Sequence, residues 1–73
     1  MENSNKMFLR SMEKDINDIQ EIIKSQINIL KIIAKEEKDF FEKLSYAEMD
    51  LANASIKYDK ALRVIQYILR EVK

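Results

Sequence analysis

Glu36, Glu37 and Asp39 place three carboxylates in the segment KEEKD, residues 35 to 39. Neighbouring carboxylates can do acid–base work or hold a hard cation. The residues that would complete such a site are missing. The 73-residue chain has no histidine, no cysteine and no glycine, so a nucleophile–base pair, a zinc site through nitrogen or sulfur, and a glycine loop cradling phosphate are all outside its repertoire. A carboxylate-only metal site needs a ligand-spaced loop, and none is present. Interleaved with Lys35 and Lys38, the three acids read as a solvated, charged stretch. The sequence predicts a protein that is not an enzyme and uses no cofactor or metal.

A second chemistry-bearing group lies at the other end. From residue 57 to residue 73, Lys57, Lys60, Arg63, Arg70 and Lys73 face only Asp59 and Glu71, a local excess of three positive charges. Such a stripe could touch phosphate or a lipid headgroup, and these five are the candidate anionic-ligand contacts. The ordinary reading is solvation plus interaction with the negative end of a helix dipole. Across the whole chain 13 basic residues balance 13 acidic ones, so no overall field draws in nucleic acid or an anionic membrane. The low charge density argues against both as principal partners.

The elements that position these groups follow from what else is absent. With neither glycine nor proline in the chain, almost no position favours a tight turn. Hydrophobic residues make up 47% and charged residues 36%, the composition of helical bundles and coiled coils. The longest uncharged runs fall far short of a membrane span, and MENSNKMFLR has no apolar stretch of signal-peptide type. The expectation is a cytoplasmic, all-α chain.

One heptad register runs from end to end. Taking Ile16 as position a places Leu9, Ile23, Leu30, Glu37, Leu44, Leu51, Tyr58, Ile65 and Val72 at a as well, with Met12, Ile19, Gln26, Ile33, Phe40, Ala47, Ala54, Ala61 and Ile68 at d. Only Gln26 and Glu37 interrupt the apolar seam. A polar residue there can set register and oligomeric state, and Gln26 is read that way. Glu37 is read as the mark of an exposed turn. The flanks do not suit a simple two-stranded coiled coil, which wants paired charges at e and g. Instead Phe8, Ile22, Ile29 and Val64 stand at g, and Ile27, Ala34, Phe41, Leu62 and Leu69 at e. A stripe this wide needs more than one neighbouring helix.

Alanine at d recurs at 47, 54 and 61, where the first half carries Met12, Ile19 and Ile33. If the chain folds back near residue 37, bulky residues meet small ones, as antiparallel layers require. The expected fold is therefore an antiparallel helical hairpin with coiled-coil-type packing that dimerises into a four-helix bundle. One long continuous helix in an oligomeric coiled coil is the alternative, since the same layers arise when two rods cross at their midpoints. The boundaries predicted are a single helical domain over 1–73, with helix 1 at 4–36, a turn at 35–39 and helix 2 at 39–72. Asp39 with Glu42 resembles a capping box, with Phe40 and Phe41 closing the end of the core against Ile33 and Leu30. Ser45 with Glu48, and the weak helix formers Asn53 to Ser55, are competing turn positions.

The predicted oligomer interface comprises Ile16, Ile19, Ile23, Gln26, Leu30, Ile33, Leu44, Ala47, Leu51, Ala54, Tyr58, Ala61, Ile65 and Ile68. Ile32, Tyr46, Met49, Ile56 and Tyr67 fall at c and f, the face a simple hairpin leaves wet, and form a candidate partner surface. Together these features predict a non-enzymatic protein–protein interaction module of adaptor, chaperone, scaffold or inhibitor type. Its expected partners are itself, as a homo-oligomer and most simply a dimer, and another protein. The alternatives are a small helical nucleic-acid-binding dimer, or a membrane-surface protein using the basic stripe. The identity of the partner is not written in the sequence.

Overall fold

A computed structural model describes residues 1–72. They form α1 (Asn3–Glu36), a 3₁₀ turn (Lys38–Phe40) and α2 (Phe41–Glu71), and no strand occurs among the described residues. The chain is all-helical with a break, so the single continuous helix is not what it adopts.

The break falls at Glu37, where φ is −103° and ψ is 74°. A helix cannot propagate through that ψ, because the next N–H no longer points back along the axis. The Glu37 N–H still donates to the Ile33 carbonyl at 2.8 Å, and its own carbonyl accepts from the Phe40 N–H at 3.0 Å. The reversal is thus one non-helical residue followed by one 3₁₀ turn. No described residue has positive φ, which fits a chain without glycine, since the usual left-handed helix stop would strain any other residue.

Neither capping box forms. Asp39 lies inside the 3₁₀ turn, Phe40 occupies the N-cap position of α2, and no side chain caps it. The Ser45 hydroxyl donates to the Phe41 carbonyl at 2.9 Å, the back-bonding habit of a serine already inside a helix, so Ser45 does not start one. Asn53 to Ser55 are helical too. Phe40 and Phe41 do not close the core: both are more than half exposed, while Ala34 in the last full turn of α1 is 4% exposed. A methyl group lets the two backbones approach closely at the reversal, and the phenyl rings are left outside.

α2 runs back along α1, and the longest dimension is 54 Å, about the length of one helix of this size at 1.5 Å per residue. The core is small. Among the described residues only Ile16, Ile23, Ala34, Leu62 and Ile65 are buried, and none is completely enclosed. Ile16, Leu62 and Ile65 form one cluster, flanked by Leu9 and Leu69. In heptad terms every buried residue is at a or e. A core of this size leaves a two-helix unit marginal by itself.

Candidate interaction surfaces

Among the described residues one polar pair bridges the seam. The Gln20 side-chain amide donates to the Ser55 carbonyl at 2.9 Å, and the Ser55 hydroxyl donates back to the Gln20 side-chain oxygen. Both residues are at e and half-buried. The pair matters because apolar packing tolerates sliding, whereas one side-chain amide bonded to both the carbonyl and the hydroxyl of a single serine has one geometry. It sets Gln20 level with Ser55, which in an antiparallel pair puts Ile19 level with Ile56 and within one helical turn of Ala54. Sequence reasoning missed the pair. The available signal was that Gln20 and Ser55 are the two uncharged polar residues on the e flank.

The predicted interface residues divide by heptad position. The a residues Ile16, Ile23 and Ile65 are buried between α1 and α2, and Leu30, Leu44 and Leu51 are half-buried there. At d, Ile19, Ala47, Ala54 and Ile68 are half-buried, while Gln26, Ile33 and Ala61 lie open to solvent, as does Tyr58 at a. Ala34 and Leu62, at e, were not among the predicted set and are buried. The seam is thus rotated toward e in both helices, and the d and g edges form a second, uncovered face. There Phe8, Met12, Ile22, Ile29 and Val64 are each about half exposed or more. Ala54, Lys57, Tyr58 and Ala61 line an open depression of about 340 Å³ on the α2 side of this face. The α1 side carries the larger apolar side chains, and the depression lies on the α2 side.

The outer surface carries the other predicted group. Ile32, Tyr46, Met49, Ile56 and Tyr67 are all more than half exposed. The Tyr46 hydroxyl donates along α2 to the Glu42 carboxylate at 3.3 Å, so part of its polar demand is met locally. Their spacing along α2 spreads four of them over most of that helix.

The basic stripe is less free than its composition suggests. Arg63 pairs with Asp59 at 2.9 Å, both well exposed, a contact of small energetic weight. Arg63 and Arg70 nevertheless border a shallow groove with Arg10 of α1, together with Glu13, Gln66 and Leu69. Arg10 was not among the predicted contacts, because only the reversal of the chain brings it near the C-terminal stripe. Lys57 and Lys60 are exposed and line other depressions, and Lys73 lies outside the described residues. Among the described residues no group of three or more acids stands close enough to hold a metal ion, and no helix is long and apolar enough to cross a membrane. Comparison with family models, curated proteins and solved structures yields no match.

Proposed function

We propose that the chain is a non-enzymatic helical interaction module. Its two helices act as a hairpin, hairpins pair into an antiparallel four-helix bundle, and the dimer presents its outer surface to another protein, as adaptors, chaperones, scaffolds and inhibitors do. The observation that carries this reading is the uncovered d/g face. Exposed apolar residues scattered singly need no explanation, but Phe8, Met12, Ile22, Ile29, Ile33 and Val64 gathered on one face are unfavourable in water and mark a contact surface. A core of five buried residues also leaves the unit short of burial that association would supply.

Sedimentation equilibrium tests it: the full chain is expected to be a dimer at micromolar concentration, and a stable, compact monomer would overturn the reading. The outer surface is tested separately. Met49→Lys with Ile56→Lys is expected to keep the dimer and abolish co-purification of the cellular partner.

A second reading is favoured by one observation, the convergence of Arg10, Arg63 and Arg70 on one groove. It makes the unit a weak binder of nucleic acid or anionic lipid. Glu13 in the same groove and the Arg63–Asp59 pair oppose it. Retention on a polyanion matrix that vanishes steeply with salt, and is lost in Arg10→Gln, would favour this alternative.

A further inference from the structure

We infer that the d/g face seats a second copy of the chain turned about a two-fold axis parallel to the helices, so that α1 lies on α2 of the second copy and Gln26 meets its own counterpart across the axis. This deepens the dimer reading above and rests on it. Two stacked hairpins have another all-antiparallel arrangement, with the two-fold perpendicular to the helices and α1 lying on α1. Three features of the uncovered face decide between them.

The first is charge. The g edge of α1 carries only acids, Asp15 and Glu36, among Phe8, Ile22 and Ile29, whereas the g edge of α2 carries Lys43, Asp50, Lys57 and Glu71. Set against its own copy, α1 offers its acids no cation. Set against α2 it does, because the Gln20–Ser55 level brings Asp15 within about one helical turn of Lys57, and Glu36 within about one turn of Lys43. Phe8 falls beside Val64 at the same time.

The second is shape. On the d edge Met12, Ile19 and Ile33 belong to α1, and Ala47, Ala54 and Ala61 to α2. Stacking α1 on α2 places these larger side chains over the depression lined by Ala54 and Ala61. Stacking like on like crowds one side and leaves a void on the other, and both faults destabilise.

The third is Gln26, the one polar residue at d between Met12 and Ile68, exposed in the two-helix unit. A two-fold parallel to the helices puts identical residues at the same height, so the two Gln26 amides can satisfy each other in a closed core. The perpendicular two-fold puts Gln26 near Met12 of the other copy, with donor and acceptor unpaired, which a buried amide does not tolerate. A single buried polar residue that matches only in one arrangement is a known way of selecting it.

The chain has no cysteine, so Ser4→Cys accepts a single nitroxide near the start of α1, and every measured spin–spin distance is then between copies. The parallel two-fold puts both labels at the same end, less than about 30 Å apart for helices 8–10 Å between axes. The perpendicular two-fold puts them at opposite ends, about 45 Å apart at 1.5 Å per residue. A short distance is expected. A dimer with the long distance overturns the arrangement while leaving the dimer reading intact, and a monomer by sedimentation overturns both. Gln26→Leu is expected to keep the dimer but add a population near 45 Å, and an unchanged distance distribution in that variant overturns the role given to Gln26.

Discussion

The seam between α1 and α2 and the d/g face beside it come from the same heptad register, yet Ile16 in the seam is 6% exposed and Ile29 on the face is 52% exposed. The side chains are chemically identical, and what differs is the neighbour. A stripe that is apolar at a, d, e and g is wider than one facing helix can cover. The reversal at Glu37 supplies one neighbour, which takes the a/e side. The comparison teaches that half of this stripe closes within one chain, and that the other half has a shape and charge pattern of its own.

The strongest way to break the comparison is to remove the same atoms from each side. Ile16→Ala should cost about 2 to 5 kcal/mol, the range for truncating a buried isoleucine, read from urea melts at any protein concentration. Ile29→Ala should behave as a surface substitution, within about 0.5 kcal/mol, if the d/g face stays wet, and should cost more with a clear concentration dependence if a second copy covers it. Equal, concentration-independent losses would mean that seam and face are not distinct. Next in size is Ala54→Leu, on the recessed side of the open face. Filling the depression lined by Ala54 and Ala61 should overpack a closed layer by about 1 to 3 kcal/mol. A melting temperature unchanged or raised by this substitution would show the layer to be loose or solvated.

Helix content, the wide apolar stripe and the break near residue 37 were all legible, because each rests on patterns repeated over many residues. Residue-level detail at the reversal was not. Phe40 and Phe41 look from their spacing like the lid of a core, but the turn is built from a non-helical Glu37 and a 3₁₀ step, which changes the phase in which side chains leave the backbone and hands the inner place to Ala34. The capping boxes failed for a related reason: a motif of four residues is satisfied by many helical segments, and Ser45 found the Phe41 carbonyl instead. The rotation of the seam toward e could not be read either. Apolar residues stand at both e and g, and only the packed chain shows which flank faces inward. Arg10 joined the basic groove through the reversal alone, across a separation in sequence that no local pattern spans.

The Gln20–Ser55 pair sharpens the comparison at lower energy, since it belongs to the seam and has no equivalent on the open face. Ser55→Ala removes the hydroxyl that donates to Gln20, while Gln20→Ala also removes the donor to the Ser55 carbonyl. At about 0.5 to 1.5 kcal/mol per hydrogen bond, Gln20→Ala should cost roughly twice as much as Ser55→Ala. The double variant should be no worse than Gln20→Ala, because neither residue then has a partner to lose. Additive losses would mean that the two side chains act separately and that the pair does not hold the register.

The smallest effect is expected at the reversal, where the seam ends. Glu37, Lys38 and Asp39 are exposed, and the backbone there makes only the Glu37 to Ile33 and Phe40 to Glu37 bonds. Inserting Gly-Gly after Lys38 lengthens the connection without touching Ala34 or the Ile16 cluster. Closing a loop of twice the length costs only about 0.6 kcal/mol in chain entropy, and losing the single Phe40 bond adds about 1 kcal/mol at most. The stability loss should therefore stay below that of Ile16→Ala. Helix content by circular dichroism should be unchanged, since α1 and α2 already stop on either side of the insertion. In a helix that ran unbroken through residue 37, two glycines would cost about 1 kcal/mol each in propensity and would also throw the halves of the heptad out of phase. A loss as large as that of Ile16→Ala, with helicity falling on both sides of the insertion, would therefore show that the two halves are coupled through the backbone, and that contacts across the seam are not what holds them in register.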